Sequence, residues 1–132
     1  RIDLMHTSKF EGIRLRRSIE EGRRSVKVKI AVSSPGIISP CQLIEQIPYL
    51  IKKDLAFSSM DGKVRLLRAS LPSGAGILLK FDRPVTIRHG PVSTAVFNSP
   101  DMQIGLLEIV FEETFDGADE RRLSYEIRAD DK

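Results

Sequence analysis

The chain has 132 residues, of which 41% are hydrophobic and 30% charged, a balance that fits one globular domain and excludes a disordered chain. No apolar run approaches the roughly 18 residues of a membrane-spanning helix. Net charge is +3, and the single cysteine, Cys41, excludes an internal disulfide, which favours an intracellular, reducing setting over a secreted one.

In chain order, the segment TSKFEGIRLRRSIEEG (7–22) reads as a helix. Ser8 and Glu11 have capping-box spacing, Gly22 is a stop, and Gly12 weakens the interior. Its apolar residues, Phe10, Ile13, Leu15 and Ile19, make no single stripe. Residues 25–32, SVKVKIAV, alternate: Val26, Val28, Ile30 and Val32 share one face, and Lys27, Lys29 and Ala31 the other. That is a half-buried strand with a positive solvent side.

The segment ISPCQLIEQIPYLIKKDL (38–55) has the strongest helical spacing. Ser39 is placed as N-cap, Pro40 as first helical residue and Gln42 as capping-box partner, with Ile38 and Leu43 as a hydrophobic staple. Leu43, Ile44, Ile47, Leu50, Ile51 and Leu55 then form an apolar face, which Pro48 kinks or splits. Strands follow at 63–71, 76–81, 84–87, 92–97, 102–113 and 122–127, with Gly105 as a candidate bulge. In the last of them Leu123, Tyr125 and Ile127 alternate with outward Arg122, Ser124 and Glu126. Short loops favour antiparallel neighbours. The expected fold is α+β: a mostly antiparallel sheet or small barrel packed with one amphipathic helix and a second, basic helix. It forms one domain over 1–132, with a basic helical segment at 1–24 and a core at 25–132.

No motif names a reaction, and the expectation is a protein that is not an enzyme, with no cofactor, metal or small-molecule substrate. Cys41 in a helical first turn has a pKa-lowering position, but it adjoins the apolar face and reads as structural. His6 and His89 are the only histidines, and His89 falls in the turn-like RHGP. The acidic EETFDGADE (112–120) lacks the spacing of a calcium loop. SGAG (73–76) lacks the Lys and Ser/Thr of a phosphate loop.

Charge is unevenly distributed. Residues 1–30 carry nine basic and four acidic side chains, and residues 108–132 carry four and nine. Within RLRRSIEEGRRSVKVKI (14–30), seven of 17 residues are basic: Arg14, Arg16, Arg17, Arg23, Arg24, Lys27 and Lys29. They are the candidate site for an anionic membrane surface or for nucleic acid. The stretch contains no aromatic residue, so base stacking beside these arginines has no support. The opposite-sign ends suit self-association between copies.

The order of VKVKIAVSS (26–34), an amphipathic segment, VRLLRASLPSG (64–74) and FNSPDMQIGLLEIVFEETFD (97–116) resembles the core of a rhabdovirus matrix protein over residues 26–116. The resemblance implies a non-enzymatic viral structural protein of the virion and host cytoplasm. Such a protein self-associates, binds the inner membrane face through basic residues and bridges it to a nucleocapsid. The alternatives are an RNA-binding viral accessory protein, such as a silencing suppressor or movement protein, and a general protein-interaction domain.

Overall fold

Alternation with a period of two runs through the computed structural model, which describes residues 2–7, 14–33, 40–52, 54–90, 103–114 and 120–130. The described residues form nine strands and no helix: β1 (Ile2–Thr7), β2 (Arg14–Gly22), β3 (Ser25–Ser33), β4 (Pro40–Leu50), β5 (Ala56–Phe57), β6 (Lys63–Ser70), β7 (Gly76–His89), β8 (Ile104–Thr114) and β9 (Arg121–Ala129). All pairings are antiparallel. The fold is therefore all-β, which corrects the expected α+β class.

Both predicted helices are overturned. The first is replaced by β1 and β2, so the basic N-terminal segment belongs to the sheet; Ser8, Phe10, Glu11, Gly12 and Ile13 lie outside the described residues. Leu15 and Ile19, which make no helical stripe, fall on one face of β2 at strand spacing, and both pack against the core. The second predicted helix is β4. Glu45 is buried and Leu43, Ile47 and Tyr49 half-buried, whereas Ile44, Gln46, Pro48 and Leu50 are exposed. The helical spacing came from combining residues of both faces. Pro48 needs no kink, because among the described residues β4 pairs with β8 alone and an edge strand tolerates a residue without an N–H.

Other boundaries shift. The strands expected at 76–81 and 84–87 are one strand, β7, which runs through Pro84 and ends at His89. The strand expected at 92–97 lies outside the described residues. Gly105 makes no bulge: it pairs in register with Tyr49. A Cβ there would come within 2.5 Å of the Tyr49 ring, so glycine lets that ring lie across the strand.

The sheet divides along β7. On one edge β7 pairs with β6. On the other, residues 77–81 pair with β9 and residues 86–89 with β8. At the split the backbone groups that β9 would offer to β7 are taken by side chains. Ser124 N–H donates to Asp82 Oδ2 (3.2 Å), and Arg83 Nη2 donates to the Arg122 carbonyl (2.6 Å). These contacts replace ladder bonds that a buried backbone must otherwise lose at a cost.

The two limbs that leave the split, β1–β2–β3–β9 and β4–β8, face each other. Glu45 of β4 reaches Arg17 of β2 and Tyr125 of β9, strands with which β4 does not pair. Between the limbs lies the core, in which Phe111, Ile30, Leu67, Leu79, Ile109, Leu123 and Val85 are the largest fully buried side chains. Each such burial contributes about 1.5–3 kcal/mol. The strongly alternating β3 and β9 supply the inner face of one limb, and this leaves their polar residues on a single outer surface.

Candidate anion-binding site

That outer surface follows from register. Arg16 pairs with Ala31, and Ala31 with Arg122. The next row is Ser18, Lys29 and Ser124, and the third is Glu20, Lys27 and Glu126, which continues to Lys80 of β7. Side chains in one row are about 5 Å apart from strand to strand, so residues far apart in sequence form one lattice. Arg16, Ser18, Lys27, Lys29, Ala31, Asp82, Arg122 and Ser124 line an open cleft of about 420 Å³.

The cleft is basic but studded with carboxylates. Lys29 Nζ lies 3.3 Å from Glu20 Oε1. Glu120 Oε1 lies 3.7 Å from Arg16 Nη2 and 3.4 Å from Arg122 Nε. Arg128 Nη2 lies 2.8 Å from Glu126 Oε1. The Arg16 and Arg122 side chains stay 56% and 79% exposed, so an external anion can reach both. Such exposed pairs are each worth about 0.2–1 kcal/mol, which leaves the cations exchangeable. Among the described residues lining the cleft there is no aromatic side chain.

The structure therefore divides the seven residues expected as a patch. Arg16, Lys27 and Lys29 line the cleft. Arg23 and Arg24 form the exposed turn between β2 and β3. There Arg24 adopts φ 63°, and its carbonyl accepts from Ala129 N–H (3.0 Å). Arg14 begins β2 opposite Ser33; its side chain lies outside the described residues. Arg17 points the other way, into the interior, and is no part of the cleft. Its Nη2 donates to Glu45 Oε1, and Tyr125 OH donates to Glu45 Oε2 (3.1 Å). Burial first, then the Glu45 charge and hydrogen bond, push the Tyr125 hydroxyl pKa well above its ordinary value. The proton therefore stays on the phenol as the donor that buried Glu45 needs.

Sequence reasoning missed Arg122, Asp82, Glu120 and Ser124 as members of this site. Alternation already placed Arg122 and Ser124 on a solvent face. Only the β3–β9 pairing shows it to be the face of Lys27 and Lys29.

Elsewhere, His89 is a strand residue, not a turn residue, and pairs with Leu107. Tyr49 OH and His89 Nδ1 are 3.3 Å apart, and Phe57 stands edge-on to both rings with centroids at 5.4 Å. Cys41 is in β4, which removes the helical first turn argued for its thiol; its side chain lies outside the described residues. On the outer face of β4 and β8, hydrogen bonds from Gln46 and then Arg88 hold the Glu108 carboxyl below its ordinary pKa. Among the described residues there is no group of three or more His, Cys, Asp or Glu side chains placed to hold a metal ion. Among the described residues no helix is long and apolar enough to cross a membrane.

No family model matches the sequence, and no curated protein matches it. Among solved structures, the chain is similar to the heparan sulfate lyase HepC from Pedobacter heparinus, with a TM-score of 0.61 and 12% identity. The match covers 98% of this chain and 20% of that one, so the chain spans about a fifth of the length of its neighbour. At this identity the likeness is one of fold.

Proposed function

We propose that this domain is a non-catalytic β-sheet module that binds an acidic polysaccharide, sulfated or uronate-bearing, through the outer face of β2, β3 and β9. The observation that carries the reading is the cleft in which Arg16, Lys27, Lys29 and Arg122 converge from three strands. A rigid sheet holds these cations, and salt-sensitive attraction to a linear polyanion is the expected result.

The mixture of charges selects among polyanions. A glycan offers hydroxyl donors beside its anionic groups. Glu20 and Ser124, interleaved with the cations in register, supply acceptors for them. Any polyanion meets the carboxylates of the face as repulsion; the hydroxyls of a glycan offset it by donating to them, and a phosphodiester group has no donor of its own. Base stacking lacks an aromatic platform among the described cleft residues, and the one apolar side chain open to the cleft is the methyl of Ala31, too small to insert into a bilayer. HepC, a heparan sulfate lyase of which the similar part is one fifth, supplies a setting in which such a fold accompanies further chain in a glycan-handling protein.

Calorimetric titration with a heparin oligosaccharide tests the proposal, alongside desulfated heparin, a homopolymeric RNA and phosphatidylserine vesicles. The expected result is binding of heparin that weakens with salt and with desulfation. In the triple variant R16Q/K29Q/R122Q affinity falls at least about tenfold, the size of a few lost charge contacts, with an unchanged melting curve. No heparin binding, or binding indifferent to the triple variant, overturns the proposal. Binding of RNA or of vesicles in place of heparin transfers the face to a nucleic-acid role or to a membrane role of matrix type.

A further inference from the structure

Glu120 occupies a particular place in the cleft. It immediately precedes β9, and one of its oxygens, Oε1, serves both Arg16 and Arg122. These two arginines come from β2 and β9, with β3 between them, and the residue of β3 in that row is Ala31. The small methyl leaves the floor of the cleft open below the two guanidinium groups. Two long cations thus converge over a small residue on one carboxylate.

The geometry points to a two-arginine anion fork that the chain fills with its own Glu120 carboxylate, which a sulfate or carboxylate group of the ligand displaces. The inference rests on the acidic-polysaccharide reading and adds its regulation: Glu120 is an internal competitor that sets the threshold for binding. The other acidic side chains of the face do not act in this way. Among the described residues Glu20 pairs with Lys29, and Glu126 with Arg128. Asp82 is tied to Arg83 and the Ser124 N–H at the split of the sheet. None of these contacts reaches Arg16 or Arg122.

Displacement is feasible because the contacts are exposed. The Glu120 side chain is 39% accessible, and ion pairs in that setting contribute little more than thermal energy. A ligand group with more than one acceptor oxygen engages two guanidinium forks better than a single carboxylate oxygen at 3.4 and 3.7 Å does.

The test compares wild type, E120Q and E126Q, the last removing one charge from the same face without touching the fork. Two readouts are used: heparin affinity, and the side-chain NMR signals of Arg16 and Arg122 during titration with inorganic sulfate. E120Q is expected to bind heparin about threefold to tenfold more tightly, with E126Q changing affinity by less than about twofold. Sulfate should move both arginine signals at lower concentration in E120Q than in wild type. Equal gains in E120Q and E126Q reduce the effect to net charge and overturn the inference, leaving the polysaccharide reading intact. A loss of affinity in E120Q overturns it as well. If neither protein binds heparin, the polysaccharide reading fails, and the sulfate titration alone then decides the fork: sulfate shifts that E120Q leaves unchanged overturn it, and shifts confined to E120Q uphold it.

Discussion

Arg16 and Arg17 sit side by side in β2 and belong to different parts of the molecule. Arg16 joins the outer face, where charges are exposed and their pairs exchangeable. Arg17 enters the interior and meets Glu45, which is only 6% exposed, together with the Tyr125 hydroxyl. On the outer face a carboxylate and a guanidinium can part at little cost, because water solvates both. In the interior each depends on the other, since a buried charge without its partner loses several kcal/mol of solvation. The same residue type therefore serves recognition on one side of the strand and the joining of two limbs on the other. A count of arginines in the sequence does not separate these roles.

The interior side breaks first. R17A leaves Glu45 buried without its cation and is expected to lower unfolding stability by about 3 kcal/mol, the lower end for a buried pair because Arg17 keeps some water contact. Chemical denaturation measures it. The triple replacement R17M/E45L/Y125F, which leaves no buried donor without its acceptor, should recover most of that loss by filling the space with apolar groups, and failure to recover would locate the cost in packing instead. Next in size is Y125F. It removes the donor to Glu45 Oε2 and should cost about 1–3 kcal/mol. It also changes the alkaline limb of the stability curve. An unfolded tyrosine ionises near pH ~10, whereas folded Tyr125 retains its proton to higher pH. Above about pH 10 the unfolded chain therefore binds fewer protons than the folded one, and this contribution to stability, complete below that pH, declines as pH rises. Y125F should show a shallower decline there, read by thermal melts between neutral and alkaline pH. Smallest is the effect of R23Q/R24Q. These residues form the turn beyond the Glu20–Lys27 row, outside the cleft, and heparin affinity should change by less than about threefold, the range of distant screened charges. A larger loss would extend the binding face to the turn.

Where the sequence was legible, one face of a strand was uniformly apolar. Val26, Val28, Ile30 and Val32 in β3, and Leu123, Tyr125 and Ile127 in β9, alternate without exception. Both strands appear with the expected inward faces. β4 was illegible because Ile44 and Leu50, 37% and 43% exposed, are apolar on the outer side. Added to Leu43 and Ile47, they complete a helical stripe, and period alone cannot separate the two readings. β2 was illegible for the opposite reason. Its inward position between Leu15 and Ile19 is Arg17, whose partner Glu45 lies 28 residues further on. Of the candidate site, the basic character and three cleft residues, Arg16, Lys27 and Lys29, were legible. The fork was not, since Arg122 and Glu120 reach it from the far end of the chain.

The sequence by itself determined which residues of β3 and β9 turn inward, and with them the polarity of the outer face, because side-chain direction alternates along any strand. It also determined the supply of cations near the N-terminus. Only the tertiary structure decided that residues 40–50 are extended, that Arg17 leaves the patch, and that Arg122 and Glu120 enter it. Those outcomes depend on pairing and facing between strands up to about a hundred residues apart, as in β2 with Glu120. Such contacts are set by burial of the whole sheet, and local propensity does not encode them.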